Sequence, residues 1–320
     1  MAKQTKTGKA FEYSLLHEFH SRLKDITTVN IIENHAYLTA RECFDAFPSE
    51  EKDAYVLSSS FAVNFLIDLE PRLSYGIDNE DILQLEIATD SQGQKGDVRD
   101  VIIIRAKQKW EIGISAKNNH RALKHSRLSG KLDFGKSWVG LPCSTTYFDQ
   151  VNVVFNRLSE IRKHDNTTKW DEVIQDKYQE VYKPILEAFK KEMLALEKQA
   201  PDNFAQNLIL YLVGNKDFYK VIKGKKKVEI QAFNLMGSLN KSFGKHKPKA
   251  KVQKLNLPSR IIELSFKNGY DNTLLATFDE GWQISFRIHS ASSRVESSLK
   301  FDINLVSAPH TLFVNHLFIK

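Results

Sequence analysis

Apolar and polar positions alternate with two different periods along this chain. The N-terminal 75 residues carry helical spacing. "PSEE" (48–51) resembles a helix start, with Ser49 as N-cap and two acids in the first turn. The following "SSSFAVNFLIDLEPRL" sets Phe61, Phe65, Leu66 and Leu69 on one face and stops before Pro71. A strand is expected at "DILQLEIATD" and a β-hairpin at "DVIIIRAKQKWEIGISAK", with strands at about 100–106 and 109–117 and a tight turn at Lys107–Gln108. "NNHRALKHSRLSG" reads as a short helix capped by Asn118 or Asn119 and ended by Gly130. "WDEVIQDKYQEVYKPILEAFKKEMLALEKQ" has a helical period with a kink near Pro184, and "DNFAQNLILYLVGN" is a further helix. The period then shortens. A hairpin turning at Gly224 is followed by the exposed, lysine-rich "GKHKPKAKVQK", and from Ile261 on the chain alternates as strands. These elements predict an α/β (α+β) protein: a mixed sheet flanked by helices, with a β-rich C-terminal part. A soft boundary separates 1–215 from 216–320.

Composition adds a few bounds. The 42% hydrophobic and 27% charged content suits a folded protein. The basic N-terminus has no apolar run behind it, so no secretion signal and no membrane span is expected. Two cysteines, Cys43 and Cys143, suit a reduced cytosolic protein and are too few for a disulfide framework or a thiolate zinc site.

Charge changes the picture more. The net charge is +7, yet residues 216–254 hold twelve lysines against Asp217 and Glu229. A second basic cluster runs from Lys117 to Lys136. Such concentration favours a polyanionic partner, although a single lysine run is often only a solvated face.

The hairpin carries the chemistry. With the turn between Lys107 and Gln108, Asp100 faces Ser115 and Ile102 faces Gly113. Asp100, Ser115 and Lys117 then meet at the hairpin's open end, with Asp97 just beyond. A carboxylate beside a lysine can hold a hard divalent ion while the lysine offsets phosphate charge. Alone, such a pair is more often an ion pair at a sheet end, but the flanking basic clusters reverse that weighting.

The layout resembles the PD-(D/E)xK nucleases, in which an Asp opens one strand and acid-x-Lys lies on the next. Here "SAK" puts Ser115 in the acid position, so another acid must serve as second metal ligand. Glu111 shares the strand face but lies four residues from Ser115, about 14 Å along a strand. Asp97, in a Gly-preceded turn, is the leading candidate and Glu70 the second. More closely, "GDVRDVIIIR", "EIGISAKNNHRALKHSRLS" and "NTLLATFDEGWQISFRIHSASSRVESSLKFD" resemble the HaeIII family of type II restriction endonucleases, over roughly a third of the chain. The resemblance implies Mg2+-dependent double-strand cleavage at GGCC and a cognate methyltransferase that guards host DNA. The residues expected in catalysis are Asp97, Asp100 and Lys117, with metal held by Asp97, Asp100 and Glu70.

Double-stranded DNA is the expected partner. Its contacts are expected from Asn118 and Asn119 through a helix N-terminus, from His120, Lys124 and Arg127 on one helical face, from Arg121, and from Lys225, Lys226 and Lys227. Arg121 or Arg127 could instead read guanine. Trp282, Arg287 and His289 are either DNA contacts or, for Trp282, core. A homodimer is compatible with these features. The alternative function is a DNA-binding protein without catalysis, in which the basic clusters act alone.

Overall fold

A computed structural model describes residues 3–76, 81–89, 97–119 and 123–319, excepting the His125 side chain. Its contacts divide the chain into two units. Unit 1 comprises 1–121, 214–255 and 311–320, and unit 2 comprises 122–213 and 256–310. The chain therefore crosses between units more than once. One crossing lies beside the boundary expected near 215, but 122–213 groups with the late strands and not with the N-terminal helices.

Unit 1 is built on a seven-stranded mixed sheet. Its strands are β1 (Val29–Ile32), β2 (Leu83–Ile87), β3 (Val101–Arg105), β4 (Trp110–Asn118), β6 (Phe218–Lys223), β7 (Lys227–Phe233) and β12 (Phe313–Phe318), in the order β1-β2-β3-β4-β6-β7-β12. The pairs β1–β2 and β4–β6 are parallel and the others antiparallel. Strand β1 falls inside the region expected to be wholly helical; at four residues it is too short to show a period. The helices α1 (Lys3–Leu23), α2 (His35–Asp45) and α3 (Ser49–Leu69) belong to this unit. Phe11, Leu15, Leu16 and Phe19 of α1 and Ala62, Val63 and Leu66 of α3 pack into one core with Val101, Ile103, Ile112, Ile114 and Ala116 of the sheet. Pro48, not Ser49, occupies the N-cap of α3.

The hairpin register agrees with the expectation: Ile102 pairs with Gly113 and Val101 with Ile114. The turn is wider than two residues. A 3-10 turn at Ala106–Gln108 precedes Lys109, which takes a left-handed φ of 50°. Since residues on either side are added equally, the pairing sum is unchanged.

Unit 2 holds a five-stranded antiparallel sheet of β5 (Lys124–Ser129), β8 (Ile261–Phe266), β9 (Thr273–Phe278), β10 (Gln283–His289) and β11 (Ser298–Ser307), in the order β5-β11-β10-β9-β8. Its helices include α4 (Phe134–Val139), α5 (Thr145–His164), α6 (Trp170–Val173), α7 (Lys183–Gln199) and α8 (Phe204–Val213). An aromatic cluster of Phe134, Trp138, Phe189, Phe286 and Phe301 lies between helices and sheet. A π-helical turn at Tyr178–Tyr182 marks the break before Pro184. Among the described residues no helix is long and apolar enough to cross a membrane.

The segment expected to be a helix after Lys117 is the strand β5. It pairs with β11, Arg127 opposite Lys300 and Leu128 opposite Leu299. Its short polar-apolar pattern fits either period, and the partner strand lies some 170 residues away, beyond the reach of local reading. Trp282 is fully buried, with its indole N–H donated to Asn256 O at 2.8 Å. It is core, and it has the opposite parity along the chain from Arg287 and His289.

Candidate active site

At the open end of the β3–β4 hairpin, one carboxylate oxygen gathers three donors. Asp100 Oδ2 accepts from Lys117 Nζ at 2.9 Å, from the Ala116 backbone N–H at 2.7 Å and from Ser115 Oγ at 3.3 Å. The backbone of Asp100 is itself tied down, its N–H donated to Ile114 O at 2.8 Å. Asp100 Oδ1 takes part in no hydrogen bond among the described residues, and both side chains are 24% exposed. The aspartate thus fixes the lysine through Oδ2.

A third group was not anticipated from sequence. Glu12 on α1 is buried, and its carboxyl is pushed up to about 7, first by burial and then by the negative charge of Asp100. Lys9 and Lys117 pull in the other direction, Lys9 through an ion pair at 2.9 Å. The signal was present: Glu12 lies at i relative to Leu15, Leu16 and Phe19, on the buried stripe of α1, where an acid has no packing reason to be.

The two acids expected to complete the site are placed elsewhere. Asp97 turns to Arg99, whose Nη2 donates to Oδ2 at 2.7 Å and whose Nε donates to Oδ1 at 2.8 Å. The same guanidinium pairs with Glu111 at 3.0 Å, and Lys216 joins Glu111 at 2.6 Å. Burial would raise the Asp97 and Glu111 carboxyls, but the hydrogen bonds and charges of Arg99 and Lys216 hold both below their usual range. Asp97 therefore belongs with Glu111, toward the turn end of the sheet, because Arg99 folds back over Gly113 instead of outward. A Cβ at Gly113 would overlap the Arg99 stem.

Glu70 is fully buried at the C-terminus of α3. Its Oε1 accepts from Tyr219 Oη at 2.7 Å and from Asn240 N at 2.6 Å, while Oε2 is buried without a partner. Burial pushes its carboxyl up to about 7. The nearby charges are Arg72 and Asp217, not Asp100, so Glu70 is a structural acid.

The expected DNA contacts divide similarly. Asn118 ends β4 and Asn119 follows with a left-handed φ of 55°, so among the described residues neither caps a helix. His120 and Arg121 lie outside the described residues. In strand β5, Lys124 and Arg127 point to opposite faces. Lys124 Nζ sits 3.5 Å from the Tyr211 ring centre, and burial pushes it down to about 8. Arg127 stays exposed and donates to Ser298 Oγ at 2.8 Å. Lys225 and Lys226 are exposed at the β6–β7 turn, while Lys227 is half-buried. That turn follows Lys223, which pairs with Asn118, so it stands at the same end of the sheet as Lys117.

The model of the HaeIII restriction endonuclease family matches residues 8–309. This chain belongs to that family. It is 39% identical over 312 residues to the type II restriction enzyme HaeIII of Haemophilus aegyptius, covering 97% of this chain and 96% of that protein. No solved structure matches. Membership in the HaeIII family brings the enzyme class with it, that of a type II restriction endonuclease. The matched range spans both units, and Glu12, Asp100 and Lys117 all lie within it.

Proposed function

We propose that this chain cuts both strands of double-stranded DNA by metal-assisted hydrolysis at a short palindrome, GGCC on the family resemblance. The observation that carries this is Lys117 Nζ held 2.9 Å from Asp100 Oδ2, the oxygen that also accepts from the Ala116 N–H and Ser115 Oγ. Asp100 and Glu12 are the residues that would hold Mg2+. An oxygen-only donor pair suits a hard cation, and Mg2+ commonly keeps waters and takes one or two carboxylates together with phosphate oxygens. When bound, the ion would polarise the phosphoryl group and lower the pKa of water.

The chain's own groups do the rest. A lysine ammonium has three N–H donors. One is donated to Asp100, leaving two to orient the attacking water and to neutralise charge growing on a phosphate oxygen. The products would be a 5′-phosphate and a 3′-hydroxyl. Lys225, Lys226 and Lys227 supply backbone affinity at the same end of the sheet. A two-fold palindrome suits a homodimer, in which each copy meets one half-site. A cognate methyltransferase would protect host DNA in the cytoplasm.

Plasmid incubated with purified protein and Mg2+ gives discrete fragments that EDTA abolishes, and their ends report the recognition sequence. Shifted but intact DNA would favour the non-catalytic binder instead.

A further inference from the structure

The sheet of unit 2 has two unlike faces. On one, Ile284, Phe286 and Ile288 of β10 and Leu299, Phe301 and Ile303 of β11 are fully buried, and Phe189 of α7 and Trp138 of α4 pack there. The alternate residues, from Gln283 to His289 on β10 and from Ser298 to Asn304 on β11, are all polar and at least partly exposed. A polar outer face is ordinary for an antiparallel sheet. The placing of its charges is not.

Ladder pairing sets Lys300 directly opposite Arg127 of β5 on one side and His289 of β10 on the other. Like charges facing each other across strands destabilise a sheet. Glu296 stands off from Arg127 at 3.7 Å. Such a row suits an anionic partner. Two residues along, Arg287 is paired with Asp302. Arg287 Nη2 donates to Asp302 Oδ2 at 2.7 Å, and His289 Nε2 lies 3.3 Å from Oδ1. The carboxylate is 20% exposed and is met from two sides, whereas the arginine is 54% exposed. Asp302 engages one N–H of a group that carries five in a rigid fork, so it fixes the guanidinium and leaves most of its donors outward.

That arrangement matches one edge of one base. In the major groove guanine offers two adjacent acceptors, N7 and O6, and a two-pronged arginine contact is the commonest way they are read. Holding the arginine in place beforehand lowers the cost of ordering it on binding. The row of basic side chains beside it suits the flanking phosphates, which position a duplex without reading it. Unit 2 as a whole has no net charge, so this local grouping, not a general field, would engage DNA there.

We propose that the outer face of β10 and β11 lies against the DNA major groove, with Arg287 reading a guanine and Asp302 as its positioning residue. The proposal rests on the restriction-endonuclease reading and adds to it the surface that selects the site.

The test is selection of bound duplexes from a randomised pool by the full chain, with Ca2+ in place of Mg2+, followed by sequencing. Wild type is expected to enrich a site containing guanine. Arg287→Ala should lose about tenfold or more of the preference at one guanine and at its symmetry mate in a palindrome, and keep it elsewhere. On single duplexes, 7-deazaguanine at that position, which lacks the N7 acceptor, should cost wild type a similar factor and Arg287→Ala nothing further. Asp302→Asn should lose part of the same preference while its affinity for unrelated sequence stays within a few-fold of wild type, an outcome that a merely structural role would not give. An Arg287→Ala profile like that of wild type, an equal loss at every position, or no sequence preference in wild type would each overturn the proposal. Selection of guanine by a protein that leaves plasmid intact would sink the nuclease reading alone. Normal cutting with an unchanged site preference in Arg287→Ala would sink this one alone.

Discussion

Glu12 and Glu70 are two buried carboxyls that share a raised pKa of about 7 and differ in everything else. For each, the folded value lies above the ordinary one of 4.5, so the fold holds the proton more tightly than the unfolded chain does. The stability this confers is complete below pH 4.5 and is lost as pH rises through about 7. Replacing either acid by Gln should therefore raise Tm more at pH 8 than at pH 5, measured by thermal unfolding across that range. Their activities should part. Glu12 feels the charges of Asp100 and Lys117, so Glu12→Gln should cut at least about a hundredfold more slowly. Wild-type single-turnover rates should rise from pH 6 to pH 8 as Glu12 ionises. Among the described residues the Glu70 carboxyl is hydrogen-bonded to Tyr219 and Asn240, away from Asp100, so Glu70→Gln should keep near-normal cleavage. A dead Glu70→Gln with intact folding would return that residue to the site.

At the scale of elements, the approach to β3 is a clamp. The Arg99 guanidinium is only 2% exposed and ties Asp97 to Glu111 across the face of Gly113, one residue before Asp100. Asp97→Asn and Glu111→Gln should each destabilise the protein by about 1–3 kcal/mol, since each leaves part of a buried charge uncompensated. Their effects on cleavage should be less than additive in the double variant. Additive effects would mean that the two acids act separately, as they would if Asp97 alone bound metal. A DNA-binding role is expected of the β6–β7 turn as well. Neutralising Lys225, Lys226 and Lys227 together should flatten the plot of log K against log salt, by about 0.9 for each lysine in contact with phosphate, and should weaken all sequences alike. An unchanged slope would place that turn in solvent.

Across the whole molecule, charge is divided as sharply as the fold. Unit 2 has equal numbers of Lys plus Arg and of Asp plus Glu, so the entire net charge of +7 belongs to unit 1, which also holds Asp100 and Lys117. The net positive charge therefore collects on the unit that holds the proposed cutting centre. How legible this was depended on range. The hairpin register could be read because its turn and both strands are local, and Asp100 and Lys117 followed from it. Glu12 could not be joined to them, because nearly ninety residues separate it from Asp100 and only the packing of α1 brings its charge to bear. Asp97 was misplaced because sequence order says where a carboxylate starts, not which cation claims it. The β5 strand was misread because its partner, β11, comes late in the chain. The central claim is that Asp100 and Lys117 form the cutting centre, and single-turnover cleavage of a short duplex in Mg2+, measured beside binding to the same duplex, tests it most directly. Lys117→Ala and Asp100→Ala should each lose about a hundredfold or more in rate while binding within a few-fold of wild type. Near-normal turnover in either variant would contradict the account.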